Sequence, residues 1–311
     1  MNIVVTGATS FIGTVTVRQL LERGHQVYGV VRPGSANLAH LLAQIPETGK
    51  NRLQIIELDL SQISRIGGHT GEKASIQADA WIHIGWDGAG SDNRTNRRVQ
   101  QDNVIYSLEA VKAASALGCR RFLFTGSQAE YGVYHQPIHE GLPCHPVSEY
   151  GIAKVDFYRQ AEPLCHSLDM DYLHARIFSV YGPGDHPWSL VQSCLKTWRE
   201  GGQMKLGECT QQWNFLYIED AVSALLALLT EGKAGIYNIA SEDTRPLRSY
   251  IEEMYELCGR KGSFRYGERP QNAEGAADLM PDIRRILTET GWRPETTFSE
   301  GIYETLHCLQ T

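Results

Sequence analysis

The first thirteen residues constrain the fold of this chain more than any other stretch. Asn2-Ile3-Val4-Val5-Thr6 is an apolar, β-rich run of the kind that forms a buried parallel strand. It ends at Gly7, and Gly7-Ala8-Thr9-Ser10-Phe11-Ile12-Gly13 follows. An amphipathic stretch from Thr14 to Glu22 reads as a helix with Gly24 as its C-cap, and His25 to Val31 reads as a second strand. A glycine fingerprint is informative in this setting of strand, tight turn, helix and strand. Gly7 lets the chain turn, and Gly13 lets helix and strand pack closely. The helix N-terminus offers free N–H groups and a positive dipole end to a pyrophosphate. Ser10 stands where a middle glycine is expected, and is small enough to let the backbone approach a phosphate. Gly7, Thr9, Ser10, Phe11, Ile12 and Gly13 are therefore candidate dinucleotide-binding residues; the alternative is a turn that holds no phosphate.

Strand-like runs alternate with helix-like runs up to about residue 180: Ile3–Thr6, Gln26–Val31, Leu53–Leu58, Ala80–Ile84, Arg121–Phe124 and Tyr172–Phe178. That alternation predicts an α/β fold with a doubly wound parallel sheet and helices on both faces. Two long helices are expected, from about Arg94 to Leu117 and from Tyr150 to Ser167. At 311 residues the chain is near the upper limit for one core, so a large domain with a smaller lobe is expected. We divide it into a dinucleotide-binding domain, 1–178, with later returns near 213–240, and a mainly substrate-binding lobe, 179–311. Beyond Gly182 the pattern is irregular, and from about Pro246 it reads as helices, one of them Asp282 to Thr290 stopping at Gly291. The net charge of −7 and the lack of a basic stripe argue against nucleic-acid binding. The cluster Arg94-Thr95-Asn96-Arg97-Arg98 reads as a solvated helix start. No apolar run is long enough for a membrane span. Seven scattered cysteines without a CxxC pair, and an N-terminus that enters directly into a strand, fit reduced thiols in a cytoplasmic protein. His135, His139 and His145 share one loop without ligand spacing, so no metal is expected.

Chemistry enters with Tyr150 and Lys154, one helical turn apart in Ser148-Glu149-Tyr150-Gly151-Ile152-Ala153-Lys154. A phenol loses its proton at about pH 10; a neighbouring cation favours the phenolate, and a tyrosine so lowered passes protons at working pH. Phe122-Leu123-Phe124-Thr125-Gly126-Ser127 is a strand that ends in a hydroxyl. Ligands of doubly wound sheets bind beyond the carboxyl ends of the strands, so Ser127 is expected in the same crevice as the glycine loop. Ser127, Tyr150 and Lys154 are the candidate catalytic residues. Taken singly, each is also compatible with an ordinary turn or a solvated helix face.

Together these residues resemble the extended short-chain dehydrogenase/reductase family, the branch of nucleotide-sugar epimerases, dehydratases and ketoreductases, and the resemblance covers nearly the whole chain. Thr6 to Gly13 resembles the TGxxGxxG loop, Asp79-Ala80-Trp81-Ile82-His83 the fourth strand, and Ser127 to Gly132 the SSxxVYG segment. Arg176-Ile177-Phe178-Ser179-Val180-Tyr181-Gly182-Pro183-Gly184-Asp185 resembles RxxNxYGPGD, and Tyr237-Asn238-Ile239-Ala240 a late YNIG strand. The resemblance implies a Rossmann-like fold with a smaller C-terminal α/β substrate-binding lobe. It also implies adenine contact by Asp59 with Leu60, a structural Asn103, ribose contact by Lys154, and Phe178 and Ser179 near the nicotinamide and the substrate phosphates. It further implies a homodimer built on the two long helices.

The end of the second strand, Val30-Val31-Arg32-Pro33-Gly34-Ser35, lacks the acid that would bond a ribose 2′-hydroxyl, and Arg32 suits a 2′-phosphate instead. This predicts NADP(H), with NAD as the alternative. The family's dehydratases carry Asp and Glu after the catalytic hydroxyl; here Gln128 and Ala129 stand there, and strand geometry turns Glu130 away, the alternative being a bent loop that brings it back to the site. Hydride transfer at a sugar carbonyl remains. A first phosphate-gripping Arg is replaced by Trp213, whereas Arg269 before Pro270 matches a second. Trp86 and Asp87 replace the commoner HxAA run. Trp86, Gln128, Ser179, Trp213 and Arg269 are the candidate substrate-binding residues. The resulting expectation is an NADPH-dependent reductase of a keto group on a nucleotide-activated sugar, a 4-keto-6-deoxyhexose foremost. The alternatives are an NAD-dependent 4-epimerase, a reductase of a non-sugar carbonyl and a non-catalytic NADP-binding sensor.

Overall fold

The computed structural model describes residues 1–68, 76–90, 93–269 and 277–309. The strands are β1 (Asn2–Thr6), β2 (Gln26–Val31), β3 (Leu53–Glu57), β4 (Ala80–His83), β5 (Arg121–Ser127), β6 (Asp171–Ile177), β7 (Ser179–Tyr181), β8 (Gln203–Lys205), β9 (Gln212–Tyr217), β10 (Gly235–Ile239), β11 (Thr244–Pro246) and β12 (Ser263–Arg265). The helices are α1 (Phe11–Glu22), α2 (Leu38–Gln44), α3 (Arg97–Ala116), α4 (Glu149–Ser167), α5 (Leu190–Arg199), α6 (Ile218–Glu231), α7 (Leu247–Leu257), α8 (Arg284–Thr290) and α9 (Phe298–Cys308). Seven strands form one parallel sheet in the order β10-β6-β5-β4-β1-β2-β3. The order reverses at β1, which lies between β2 and β4, so the crevice of this doubly wound α/β fold opens beyond the carboxyl ends of β1 and β4.

Alternate residues of the strands feed two apolar layers, as a pleat with period two requires. Ile3 and Val5 of β1 join α1 and α6 in one layer, whereas Val4 joins Trp81, Phe122, Phe124 and the inner faces of α3 and α4 in the other. Helix α6 buries Leu225, Leu226, Leu228 and Leu229, each contributing about 1.5–3 kcal/mol by burial. It is tied to α1 by an ion pair between Arg18 and Glu219 and by Gln19 Nε2 donating to Glu219 Oε2 at 2.8 Å.

Helix α1 starts at Phe11, three residues earlier than its apolar periodicity suggests, because Ser10 caps it: the Ser10 hydroxyl accepts the Gly13 N–H at 3.0 Å. Asn103 acts structurally, accepting the Asp87 N–H at 2.8 Å and donating to the Asp87 carbonyl at 2.7 Å. The irregular stretch after Gly182 proves more ordered than its prolines suggest. It forms α5, a three-stranded sheet β11-β9-β7 and the parallel pair β12-β8. These strands are three to six residues long, too short for periodicity to register. β10 and α6 rejoin the main sheet and its helical layer, whereas β9 belongs to the small sheet. Among the described residues no helix is long and apolar enough to cross a membrane, and no cluster of metal-ligating side chains occurs. None of the seven cysteines is paired in a disulfide.

A Cβ on Gly13 would lie 2.0 Å from the Gly7 carbonyl oxygen, so the turn and the helix must part to admit it. Gly13→Ala is expected to cost about 1–3 kcal/mol, the usual range for overpacking. Gly90→Ala, whose Cβ meets no atom of the described residues within 4 Å, is expected to be near neutral. Denaturant midpoints check both, and equal midpoints would contradict the close packing.

Candidate active site

Three elements converge at the carboxyl edge of β5. The strand ends at Ser127, which caps a single 3-10 turn, Gln128–Glu130. Its hydroxyl accepts the Ala129 N–H at 3.2 Å, and its own N–H donates to Glu130 Oε1 at 2.8 Å, which completes a capping box. Helix α4 begins beside it, capped by Ser148, and its first turn carries the buried Tyr150. Lys154, one turn on, is buried as well, and its Nζ donates to the Thr125 carbonyl on β5 at 2.8 Å. The loop before α3 supplies Arg94, whose carbonyl accepts the Tyr150 N–H at 3.0 Å and whose guanidinium lies 4.4 Å from the Tyr150 ring centroid.

Ser127 and Tyr150 come together, close enough for the Ser127 hydroxyl to act on the phenol. Lys154 lies farther from the phenol ring than expected. Its ammonium sits 4.0 Å over the Trp86 ring and 4.3 Å over Phe124, but 5.5 Å from the Tyr150 centroid. The Tyr150 phenol is raised above its ordinary value, because burial outweighs Arg94 and the Ser127 hydroxyl, the two influences that favour the phenolate. The expectation of a phenol lowered by Lys154 is thus corrected, and the cation beside the ring is Arg94. Burial pushes Lys154 itself down to about 7, with Arg94 adding to the shift and Glu130 opposing it. Trp86 forms one wall: its Nε1 donates to Gln100 Oε1 at 2.8 Å, and its ring stands edge-on to Tyr150 at 6.3 Å.

The glycine loop occupies the neighbouring part of the crevice. Gly7 has φ +69°, and a Cβ there would lie 2.7 Å from the Gly85 N. A Cβ on Gly85 would in turn meet the Leu60 side chain at 3.1 Å and the Gly7 N at 3.3 Å. First-turn N–H groups of a helix have no intrahelical acceptor. Ser10 takes that of Gly13, which leaves the Phe11 and Ile12 N–H groups at the open end of α1. Thr9 Oγ1 meets Ser35 Oγ at 3.1 Å, which joins the loop to the turn after β2. Arg32, 73% exposed, lies 3.9 Å from the Asp87 carboxylate. Asp59 is held below the usual carboxylate range chiefly by the Ser61 hydroxyl and N–H, at 2.7 and 2.9 Å. The donor set suits a dinucleotide: a tight turn without side chains, free N–H groups at a helix start, and a cation and a carboxylate at the ends of β2 and β3.

The remaining candidates are dispersed. Phe178 is buried, with its N–H bonded to the Ile239 carbonyl, and Ser179 opens β7. Gln128 begins the turn after Ser127. Trp213 packs on Phe215 at 6.1 Å with a buried Nε1 that has no hydrogen-bond partner among the described residues. Arg269 is exposed just after β12, and the Pro270 that follows it lies outside the described residues. Glu130 is indeed turned from the crevice, into a buried pairing with His174 and Arg176.

Sequence reasoning missed Arg94 and this pairing. Arg94 was hidden in an arginine cluster of which Arg97 and Arg98 are exposed. The spacing of His174 and Arg176, two apart on β6, places both on one face, a signal that could have been followed to Glu130.

Comparison with known proteins places this geometry. The chain is 26% identical over 259 residues to the dTDP-6-deoxy-L-talose 4-dehydrogenase (NAD(+)) of Aggregatibacter actinomycetemcomitans, covering 82% of this chain and 89% of that one. It is 27% identical over 240 residues to the GDP-6-deoxy-D-mannose reductase of Pseudomonas aeruginosa, covering 72% and 78%. It superposes with a TM-score of 0.84 on the UDP-glucose 4-epimerase of Thermotoga maritima, solved with UDP-glucose, at 22% identity and with 100% and 99% of the chains covered. The profile of the NAD dependent epimerase/dehydratase family matches residues 3–240, and the chain belongs to that family of enzymes.

Proposed function

We propose that this protein is an NADPH-dependent reductase of a keto group on a nucleotide-activated sugar, a 4-keto-6-deoxyhexose foremost. The observation that carries the reading is the meeting of Ser127, at the end of β5, with the buried Tyr150 and with Lys154 anchored on the Thr125 carbonyl, at a strand end where the described residues offer no second acid–base pair. Gln128 and Ala129 cannot transfer protons at neutral pH, and Glu130 is committed to Arg176 and His174. That argues against a dehydratase. Two of the relatives are named for chemistry on 6-deoxyhexoses, which favours that sugar class.

The Gly7–Gly13 loop, Asp59 with Leu60, and Arg32 are the residues that would hold the dinucleotide, and the reduced nicotinamide supplies a hydride when bound. Tyr150 gives its proton to the substrate oxygen as negative charge develops there. Ser127 donates a hydrogen bond to the same oxygen and keeps it in place. The Lys154 ammonium and the Arg94 guanidinium stabilise the phenolate left behind. Trp86 walls the ammonium off from water. A second reading, a redox-neutral 4-epimerase that keeps NAD bound, is favoured by the position of Arg32, drawn towards Asp87. Nucleotide that co-purifies, identified by mass spectrometry, separates the readings: NADP supports the reductase and tightly held NAD the epimerase.

Tyr150→Phe is expected to lower turnover by about 10²–10⁴-fold, the range for losing a general acid, while NADPH affinity stays within a few-fold. Near-normal turnover would remove Tyr150 from the mechanism. Arg32→Asp is expected to weaken NADPH far more than NADH in fluorescence titrations, and equal losses would remove the 2′-phosphate contact. The pH dependence follows from Lys154. Its ammonium is intact below about 7 and is lost as pH rises through that value, whereas Tyr150 stays protonated throughout. kcat/KM for reduction, which reports the free enzyme, is therefore expected to fall above about 7, and this limb should be absent in Lys154→Met. Persistence of the limb in that variant would assign it to another group.

A further inference from the structure

Beneath Ser127 lies a set of buried charged groups for which the proposed reaction has no direct use. Glu130 and His174 are both 0% exposed and Arg176 is 2% exposed. Arg176 Nε donates to Glu130 Oε2 at 2.8 Å, and His174 Nε2 meets both Glu130 oxygens at 2.9 and 3.0 Å. On the other side of the imidazole, His174 Nδ1 meets the Tyr172 hydroxyl at 2.8 Å. Burial keeps His174 below its ordinary value, and Glu130, which burial would raise, is instead held low by His174 and Arg176. The imidazole is therefore neutral, its Nε2–H donates to an ionised carboxylate, and the tyrosine hydroxyl donates to Nδ1. The Arg176 guanidinium also lies 4.4 Å over the Tyr131 ring, and the Tyr131 hydroxyl donates to Asn238 Oδ1 on β10 at 2.6 Å.

The cluster thus spans β5, β6 and β10, and its carboxylate ends on the Ser127 N–H. The backbone has been shaped to admit it: a Cβ on Gly126 would lie 2.4 Å from His174 Nε2 and 2.5 Å from Glu130 Oε1. Removing charged groups from water costs several kcal/mol each, so a buried ion pair is weak evidence of a stabilising role. A preorganised hydroxyl, by contrast, requires its backbone to be held by groups that cannot themselves rearrange. We infer that Glu130, His174 and Arg176 form a buried positioning cluster that sets the Ser127 hydroxyl against the Tyr150 phenol. Glu130 fixes the Ser127 N–H, while Arg176 and His174 fix the two carboxylate oxygens. The inference deepens the proposed function and rests on it only for the catalytic role of Ser127.

The test compares the parent protein with Ser127→Ala, Glu130→Gln and the double variant. The first readout needs no substrate: fluorine NMR of protein labelled with fluorotyrosine, with the Tyr150 resonance assigned by its loss in Tyr150→Phe. The charged groups that bear on that phenol are Arg94 and Glu130, with Lys154 one turn away. If Glu130 acted on Tyr150 through its charge alone, Glu130→Gln would lower the phenol pKa. If Glu130 positions Ser127, the variant loses the influence of the Ser127 hydroxyl that favours the phenolate, and the pKa rises towards the Ser127→Ala value. The second readout is kcat with NADPH and dTDP-4-keto-6-deoxyglucose. Glu130→Gln is expected to lower kcat about a hundredfold with KM little changed, the order seen on losing one preorganised donor. No further loss is expected in the Ser127→Ala background. A lowered phenol pKa, or losses that multiply in the double variant, would overturn the inference. Should Glu130→Gln fail to fold, Glu130→Leu with Arg176→Met removes both buried charges and serves in its place; recovery of normal kcat there would likewise overturn it. If the parent is inactive on this sugar, the proposed substrate fails while the phenol titration still decides the cluster.

Discussion

The short 3-10 turn at the carboxyl end of β5 sets the geometry of the whole site. Within four residues the chain must leave a buried strand, present a hydroxyl to the crevice and bury a carboxylate on the opposite side. The Ser127–Glu130 capping box does this with two hydrogen bonds. Helix α4 then packs against the turn so closely that a Cβ on Gly151 would lie 2.5 Å from the Ala129 carbonyl oxygen. Because Lys154 is anchored on the Thr125 carbonyl, both the hydroxyl and the ammonium are referenced to the same strand. The glycine loop reaches the same crevice because β1 lies at the point where the strand order reverses.

The parallel sheet was legible because its signals are local and long. β1, β2, β5 and β6 are apolar runs bounded by turns, and α3 and α4 extend over 20 and 19 residues. The two smaller sheets were not legible: β7, β8, β11 and β12 each span three residues, and their partners lie far away in sequence. The site was legible where the residues follow one another at fixed spacing, as in Gly7 to Gly13 and Tyr150 to Lys154. Where charge decides, spacing was insufficient. Residues four apart on a helix do share a face, but that face meets Trp86 and Phe124 here, and the ammonium settles over those rings rather than beside the phenol.

Burial reverses the simple electrostatic argument for Tyr150. A cation near a phenol favours the phenolate, yet removal from water favours the neutral form, and at this site the second effect is larger. A phenol that holds its proton firmly is suited to giving it up only when an oxyanion forms next to it, which fits the direction of a reduction. The same burial brings Lys154 into the range where it titrates. Acid and cation thus move apart in pKa through a shared environment, the pattern by which one site assigns distinct protonic roles to neighbouring groups.

The most direct measurement follows the hydride. NADPH carrying deuterium at the transferred position is mixed with the enzyme and dTDP-4-keto-6-deoxyglucose, and the sugar product is weighed by mass spectrometry. A reductase places one deuterium on the product carbon for each oxidised dinucleotide formed. An isomerised sugar without deuterium, and no oxidised dinucleotide, would contradict the account.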